Sequence, residues 1–297
     1  MKHRERFLET SEARYLLGTL PLDIAEKLKR VFLNADLEGE EAKEVLAYLV
    51  QNSTISRIIN GAPSSAETFE YLYQKIPVDN KIDNFFIMTK AAVGIHQRLI
   101  ALRSNLPSVI RKEIIRADLK NGEKFVIFNM GSGPGHDMIE TLAENPGLKE
   151  TVHVYCIDPD AKMLAVGEAK AKKSGLEESF TFVPHKFGEV GLGKAHAILI
   201  IGILCPISKE TCIKILQSVS QFLHPSGIVI FNTVQNKMLR EDPLCDFMMR
   251  LAGWHMDYKR NSETLKIAQV SGFKPVGSFF DSLGYNRVVI ARKSLTQ

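Results

Sequence analysis

The sequence predicts an α/β protein, a doubly wound and largely parallel sheet with an antiparallel edge, preceded by an all-helical amino-terminal domain. Three observations predict it. Residues 1–119 carry apolar side chains at helical spacings almost throughout. From Lys124 onward, short apolar runs alternate with helical stretches, the pattern of parallel strands joined by crossover helices. The first of those runs, residues 125–128, breaks into Gly131, Gly133 and Gly135 before a helix opens at His136. A strand, a tight turn and a helix start aim backbone N–H groups and a positive helix end at a ligand.

Each element follows from local pattern. Residues 22–32 place Leu22, Ile24, Ala25, Leu28, Val31 and Phe32 on one helix, with Pro21 at its start. Residues 40–59 read as one helix, stopped by Asn60-Gly61-Ala62-Pro63. Ser64-Ser65-Ala66-Glu67 offers the next N-cap with an acid in the first turn. Residues 81–103 form a long helix, apolar on much of its circumference, and Leu106-Pro107-Ser108 restarts a last one to Leu119. Lys120-Asn121-Gly122-Glu123 is the linker, so the expected domains are 1–120 and 121–297. Beyond it, strands are expected at 125–128, 152–157, 180–183, 197–203, 228–231, 273–280 and 288–291, the last two as an antiparallel pair around Ser282-Leu283-Gly284. Helices are expected at 136–142, 161–173, 209–223, 243–258 and 262–270, with a turn at His224-Pro225-Ser226-Gly227.

Composition narrows the function classes. The chain has 297 residues, 45% hydrophobic and 24% charged, enough to bury one large core or two. Residues 1–120 carry 18 basic and 16 acidic groups, and the remainder 20 and 18. Neither part is a basic arm, so no nucleic-acid partner is expected. Cys156, Cys205, Cys212 and Cys245 form no C-x-x-C pair, which suits reduced thiols, and no metal is expected. The start has no apolar signal core, and the longest apolar run, 197–205, is too short for a bilayer. The expected place is the cytoplasm, away from membranes. The 81–103 helix has a face that could serve a homodimer.

In doubly wound sheets, ligands bind beyond the carboxyl ends of the strands where strand order reverses. That edge collects residues 129–135, Asp158-Pro159, residues 184–187 and residues 202–205. A dinucleotide fingerprint needs a third glycine at position 136, and His136 stands there. The loop is G-x-G-x-G, followed by an acid after the second strand (Asp158), an L-x-P-x-G turn (Leu223, Pro225, Gly227) and a G-F pair (Gly272, Phe273). In that order, these motifs make residues 124–292 resemble a class I S-adenosylmethionine-dependent methyltransferase. The resemblance does not reach the helical amino-terminal part.

The resemblance implies a Rossmann-like, seven-stranded methyltransferase sheet and S-adenosyl-L-methionine as cofactor. Gly131, Ser132, Gly133 and Gly135 would pass under its methionine part, and Gly202 would lie on the same edge. Asp158 would accept hydrogen bonds from the ribose diol, the other reading being a helix-start acid for residues 161–173. Pro159 and Met163 would pack on adenine, or serve as core. Two positions depart from the family. Asn129 stands where an acid usually holds the cofactor's amino group, and His185-Lys186-Phe187 stands where an acid often meets the adenine amine. Backbone groups beside Lys186 and the Phe187 ring are then expected to bind adenine. Asp137 and Glu140 read as first-turn helix acids, and His136 and His185 as hydrogen-bonding or exposed residues.

The substrate side is less marked. Gly202-Ile203-Leu204-Cys205-Pro206 lacks the N-P-P-Y of nitrogen methylators and holds no His or Asp, so no general base is visible. Phe247, Leu251, Trp254 and Tyr258 recur at helical spacing, with His255 and Arg260 beside them. They suit a helix packed on the sheet, or a lid formed by an insertion at 236–260 with Trp254, Tyr258 and Arg260 facing a small-molecule acceptor. That segment after Phe231-Asn232-Thr233 is similar to methyltransferases proposed to esterify 3-hydroxy fatty acids, in which Arg260 or Lys259 would pair with a carboxylate. A helical domain before G-S-G-P also resembles nicotianamine synthase, an aminopropyl transferase. The expected function is methyl transfer to a small carboxylate or hydroxyl acceptor. Aminopropyl transfer and a non-catalytic binding module are the alternatives.

Overall fold

A computed structural model describes residues 2–63, 65–74, 79–189 and 191–294. Two compact units divide the chain: Met1–His96 with Asn236–Met256, and Gln97–Gln235 with Asp257–Gln297.

The first unit is helical. Along the chain come α1 (Lys2–Leu8), α2 (Ser11–Thr19), α3 (Leu22–Asn34), α4 (Glu40–Asn52), α5 (Thr54–Gly61), α6 (Ala66–Gln74), α7 (Lys81–Met88) and the first turns of α8 (Lys90–Ala117). Leu16, Leu28, Val31, Phe32, Val45 and Leu49 are buried at the expected helical spacings. The helix expected over 40–59 is two helices. Ser53 interrupts it by accepting from Ser56 N at 3.0 Å and donating to the buried Asp83 carboxylate at 2.5 Å. Ser65 accepts from Thr68 N at 3.2 Å and so caps α6, whereas the candidate cap Ser64 lies outside the described residues.

The helix expected over 81–103 is also broken. Thr89 turns the chain by 52° between α7 and α8, and its hydroxyl accepts from Ala92 N. No restart occurs at Pro107, which lies inside the 28-residue α8. The ring removes one helical hydrogen bond there without ending the helix.

The second unit is built on a seven-stranded sheet of order β3-β2-β1-β4-β5-β7-β6. Its strands are β1 (Phe125–Met130), β2 (Val152–Ile157), β3 (Phe180–Val183), β4 (Ala195–Ile200), β5 (Leu223–Val234), β6 (Phe273–Phe280) and β7 (Asn286–Lys293). The first five pair in parallel, and β7 runs antiparallel to both β5 and β6. Both faces are apolar because alternate residues serve opposite cores. Phe125, Ile127, Leu199, Ile230 and Val288 meet one cluster, and Phe128, Met130, Ile198, Phe231 and Val289 the other.

The first cluster is closed by α9 (His136–Ala143), α10 (Pro146–Lys149) and α11 (Ala161–Lys173), together with Leu102, Leu106 and Ile110 of α8. The second is closed by α12 (Lys209–Val219) and, further along the chain, α15 (Asn261–Val270). Between β5 and α15 run α13 (Asn236–Glu241) and α14 (Pro243–Leu251).

Three boundaries differ from expectation. The division expected at 120/121 lies at 96/97, because the second half of α8 is part of the sheet core. Residues 224–227 are drawn into β5, with a shift of register against β4 between Ala195 and Ala197. The helix expected to reach Tyr258 ends at Leu251. Gly253, at φ 89°, turns left-handed and lets Trp254 N bond back to Met249 O at 2.8 Å.

Candidate cofactor site

β1 lies between β2 and β4, so the crossovers diverge there and the carboxyl ends of these three strands open a crevice. The glycine loop leaves β1 at this point. Gly131, Gly133 and Gly135 all have positive φ, at 56°, 50° and 73°. A Cβ at Gly135 would sit 2.8 Å from Cys156 Sγ, so the turn has no room for one. On α11, a Cβ at Gly167 would lie 2.2 Å from the Pro134 carbonyl, and only a glycine lets the loop rest against that helix. Periodicity alone hid Gly167, although a glycine inside a helix is itself a signal of close approach.

Asp158 follows β2 and faces the loop. Its Oδ2 accepts from Gly133 N at 2.8 Å and its Oδ1 from Asp160 N at 2.9 Å. The helix-start role falls to Asp160, which accepts from Lys162 N and Met163 N. Asp158 is therefore not the cap of α11, and its carboxylate ties the ends of β1 and β2 together. Pro159 is exposed and Met163 half-buried in the first turn of α11, while the half-buried Ser132 donates to Gly133 O at 3.1 Å.

Asn129 is 1% exposed, and its Nδ2 donates to Asp137 Oδ1 at 2.8 Å. Asp137 also accepts from Met138 N at 2.9 Å. Desolvation pushes the Asp137 carboxyl up, opposed by those two hydrogen bonds and by the charges of Arg98 and His136. Arg98, 4% exposed, has its guanidinium beside Gly202. Neither Asp137 nor Arg98 stood out in the sequence as part of a site. One reads as an ordinary first-turn acid, and the other sits in a helix outside the glycine motif.

The loop after β4 is held from below. Gly202 N donates to Asn232 Oδ1 at 2.7 Å, Asn232 Nδ2 to Asn286 Oδ1 at 3.1 Å, and Asn286 Nδ2 to Asp281 Oδ2 at 3.0 Å. All three partners below Gly202 are buried, so this amide chain fixes the loop. Lys259, 1% exposed, adds a second tether. Its ammonium donates to Ile207 O and Asp257 O and pairs with Asp257 at 3.1 Å. The expected pairing of Lys259 with a substrate carboxylate gives way to this internal role.

The remaining sequence candidates are scattered. Lys186 is exposed, and Phe187 packs edge-on against Phe222 and Phe128, with ring centroids 4.7 and 6.4 Å apart. Trp254 is 4% exposed in the helical unit, edge-on to Phe69. Tyr258 is half-buried and Arg260 exposed in the sheet unit, where Arg260 pairs with Glu263 at 3.1 Å. No single helix carries these three. All four cysteines are free and buried, and burial pushes each thiol up. Among the described residues no cluster of His, Cys, Asp or Glu could hold a metal, and no single helix is long and apolar enough to cross a membrane.

No family model matches the sequence, and no curated protein matches it either. Solved structures do. A possible exported protein from Bordetella parapertussis is similar at TM-score 0.67 and 14% identity, over 96% of this chain and 98% of that one. Magnesium protoporphyrin IX methyltransferase from Synechocystis PCC 6803, with bound SAH, is similar at TM-score 0.55 and 15% identity, over 81% and 100%. The S-adenosylmethionine-dependent methyltransferase SibL, in its apo form, is similar at TM-score 0.54 and 12% identity, over 84% and 73%. At such identities the likeness is one of fold. The chain has the class I S-adenosylmethionine-dependent methyltransferase fold.

Proposed function

We propose that the protein is a methyltransferase that uses S-adenosyl-L-methionine and acts on a small-molecule acceptor, a carboxylate or a hydroxyl. One observation carries the reading. Asp158 closes the glycine loop through Gly133 N at the diverging strand ends, leaving a carboxylate beside a backbone that side chains do not obstruct. A ribose diol suits that carboxylate, because each oxygen retains a lone pair beyond its one backbone bond. The methionine part suits the open loop, and the adenine would lie toward Pro159, Met163 and the backbone at Lys186. The fold shared with a methyltransferase that carries SAH supports the same cofactor.

When bound, the cofactor supplies a sulfonium methyl group that a nucleophile can take directly. The protein's task is then to position the acceptor and exclude water. The loop after β4 is suited to positioning, since Asn232 and Lys259 hold it at both ends. Residues 202–206 hold no His or Asp, which favours an acceptor already ionised at neutral pH, such as a carboxylate. The even charge of both parts of the chain supports a small molecule rather than nucleic acid as partner.

Calorimetry with S-adenosylmethionine and S-adenosylhomocysteine tests the cofactor. Both are expected to bind and to raise the melting temperature. Asp158→Ala is expected to weaken binding at least tenfold, and unchanged binding would defeat the assignment. Product analysis tests the reaction: methyl transfer leaves S-adenosylhomocysteine, whereas aminopropyl transfer leaves methylthioadenosine.

A further inference from the structure

A carboxylate two residues before the first glycine would place a negative charge at the end of β1, but Asn129 is neutral and 1% exposed. Its amide is also committed, because Nδ2 donates to Asp137 Oδ1. Asp137 stands two residues beyond the last glycine of the loop, so the two side chains meet across the turn that Gly131 and Gly135 bound. A first-turn helix acid ordinarily lies in water and needs no further partner. Asp137 is instead half-buried, desolvated and clamped through Oδ1 by a buried amide and by Met138 N. Both of those bonds fall on Oδ1 and neither on Oδ2, and the charges of Arg98 and His136 favour the ionised carboxylate. Holding a carboxylate in a partly desolvated place costs stability, and a further cation placed against it offsets part of that cost.

We infer that Asp137 supplies the anion missing at position 129, and that its Oδ2 receives the ammonium of an α-amino acid ligand, here the methionine end of the cofactor. The inference rests on the proposed cofactor. The carboxylate has moved from the end of β1 to the start of α9, and Asn129 has become the positioning residue that aims it. Arg98, buried beside Gly202 on the same edge, is a cation whose charge helps to keep Asp137 ionised for that contact.

The test compares two ligands by calorimetry. S-adenosylhomocysteine carries the α-ammonium, and methylthioadenosine lacks the whole amino acid end. Asp137→Asn is expected to weaken S-adenosylhomocysteine at least tenfold and to leave methylthioadenosine within twofold. Moving the charge back, in Asn129→Asp/Asp137→Asn, is expected to restore S-adenosylhomocysteine to within threefold of the parent. Equal weakening of both ligands, or none, overturns the inference, as does a folded exchange variant that stays tenfold weak for S-adenosylhomocysteine alone. Should Asp137→Asn not fold, the exchange variant decides by the same criterion. A parent protein that binds neither ligand would instead defeat the cofactor reading itself, whereas parent binding lost in Asp158→Ala but kept in Asp137→Asn defeats only this inference.

Discussion

At the scale of single residues, the buried Asp242 and the half-buried His196 give opposite dependences on pH. Asp242 is 5% exposed and caps α14 by accepting from Cys245 N, and burial pushes its carboxyl up to about 6. The folded state therefore holds this proton more tightly than the unfolded state. Its contribution is complete below about pH 4 and is lost as pH rises through about 6. Asp242→Asn keeps a capping oxygen and removes the ionisation. Chemical denaturation of that variant is expected to show no such decline between pH 4 and 6, and at pH 7 a stability equal to or up to about 2 kcal/mol above the parent.

His196 has the reverse sign. Its Nδ1 accepts from Val126 N, its ring stacks between Phe125 and His224, and burial holds it down to about 4. Its contribution is present above about pH 6.5 and is lost as pH falls through about 4. In an NMR titration, His196 is expected to stay neutral down to about pH 4, well below the ordinary histidine value of about 6.5. Asp158 and the loop glycines were legible at this scale because they lie at set distances along the chain from β1 and β2. Asp137 was visible as a residue but not as a partner, since its meaning depends on an amide eight positions earlier turning toward it.

At the scale of elements, most strands and helices were legible, and the misses lie at junctions. Residues 40–59 keep an unbroken apolar pattern, yet the helix breaks at Ser53. The cause is remote. Asp83, 30 positions on, accepts from the Ser53 hydroxyl, from Thr54 N and Ile55 N, and from the Tyr71 hydroxyl. Four donors around one buried carboxylate hold the start of α5 to α7. Ser53→Ala removes both a cap and one of these donors, and is expected to lower stability by roughly 1–3 kcal/mol in urea denaturation. A loss below a few tenths of a kcal/mol would mean that the other three donors suffice. Pro107 is the converse case, a strong local stop signal overridden because Leu102, Leu106 and Ile110 on either side of it are buried in one core.

At the scale of the whole molecule, the units do not follow the order of the chain. Residues 236–256 lie between β5 and α15 in sequence and belong to the helical unit, where Phe247 packs edge-on against Phe32 at 5.5 Å. The two ends of this excursion meet in the sheet unit, since Gln235 bridges to Lys259 and Lys259 N donates to Val234 O at 2.9 Å. Residues 97–297 with 236–256 replaced by a short Gly-Ser link are therefore expected to unfold cooperatively by circular dichroism. Residues 121–297 cut at the apparent linker are expected to be unstable or aggregated, because Leu102, Leu106 and Ile110 are then missing from the sheet core. Equal stability of the two would place the boundary at 120/121 after all.

By itself the sequence determined the doubly wound sheet, its antiparallel edge, the glycine turn and the acid after β2. These are local properties, set by side-chain alternation along a strand and by the few conformations a glycine turn allows. Tertiary structure alone decided that α8 belongs half to the sheet, that 236–256 leaves it, that Lys259 is a tether, and that Asn129 meets a carboxylate on α9. Each of those is a contact between residues whose separation in sequence carries no periodic trace, made because a buried polar or apolar surface there requires a partner.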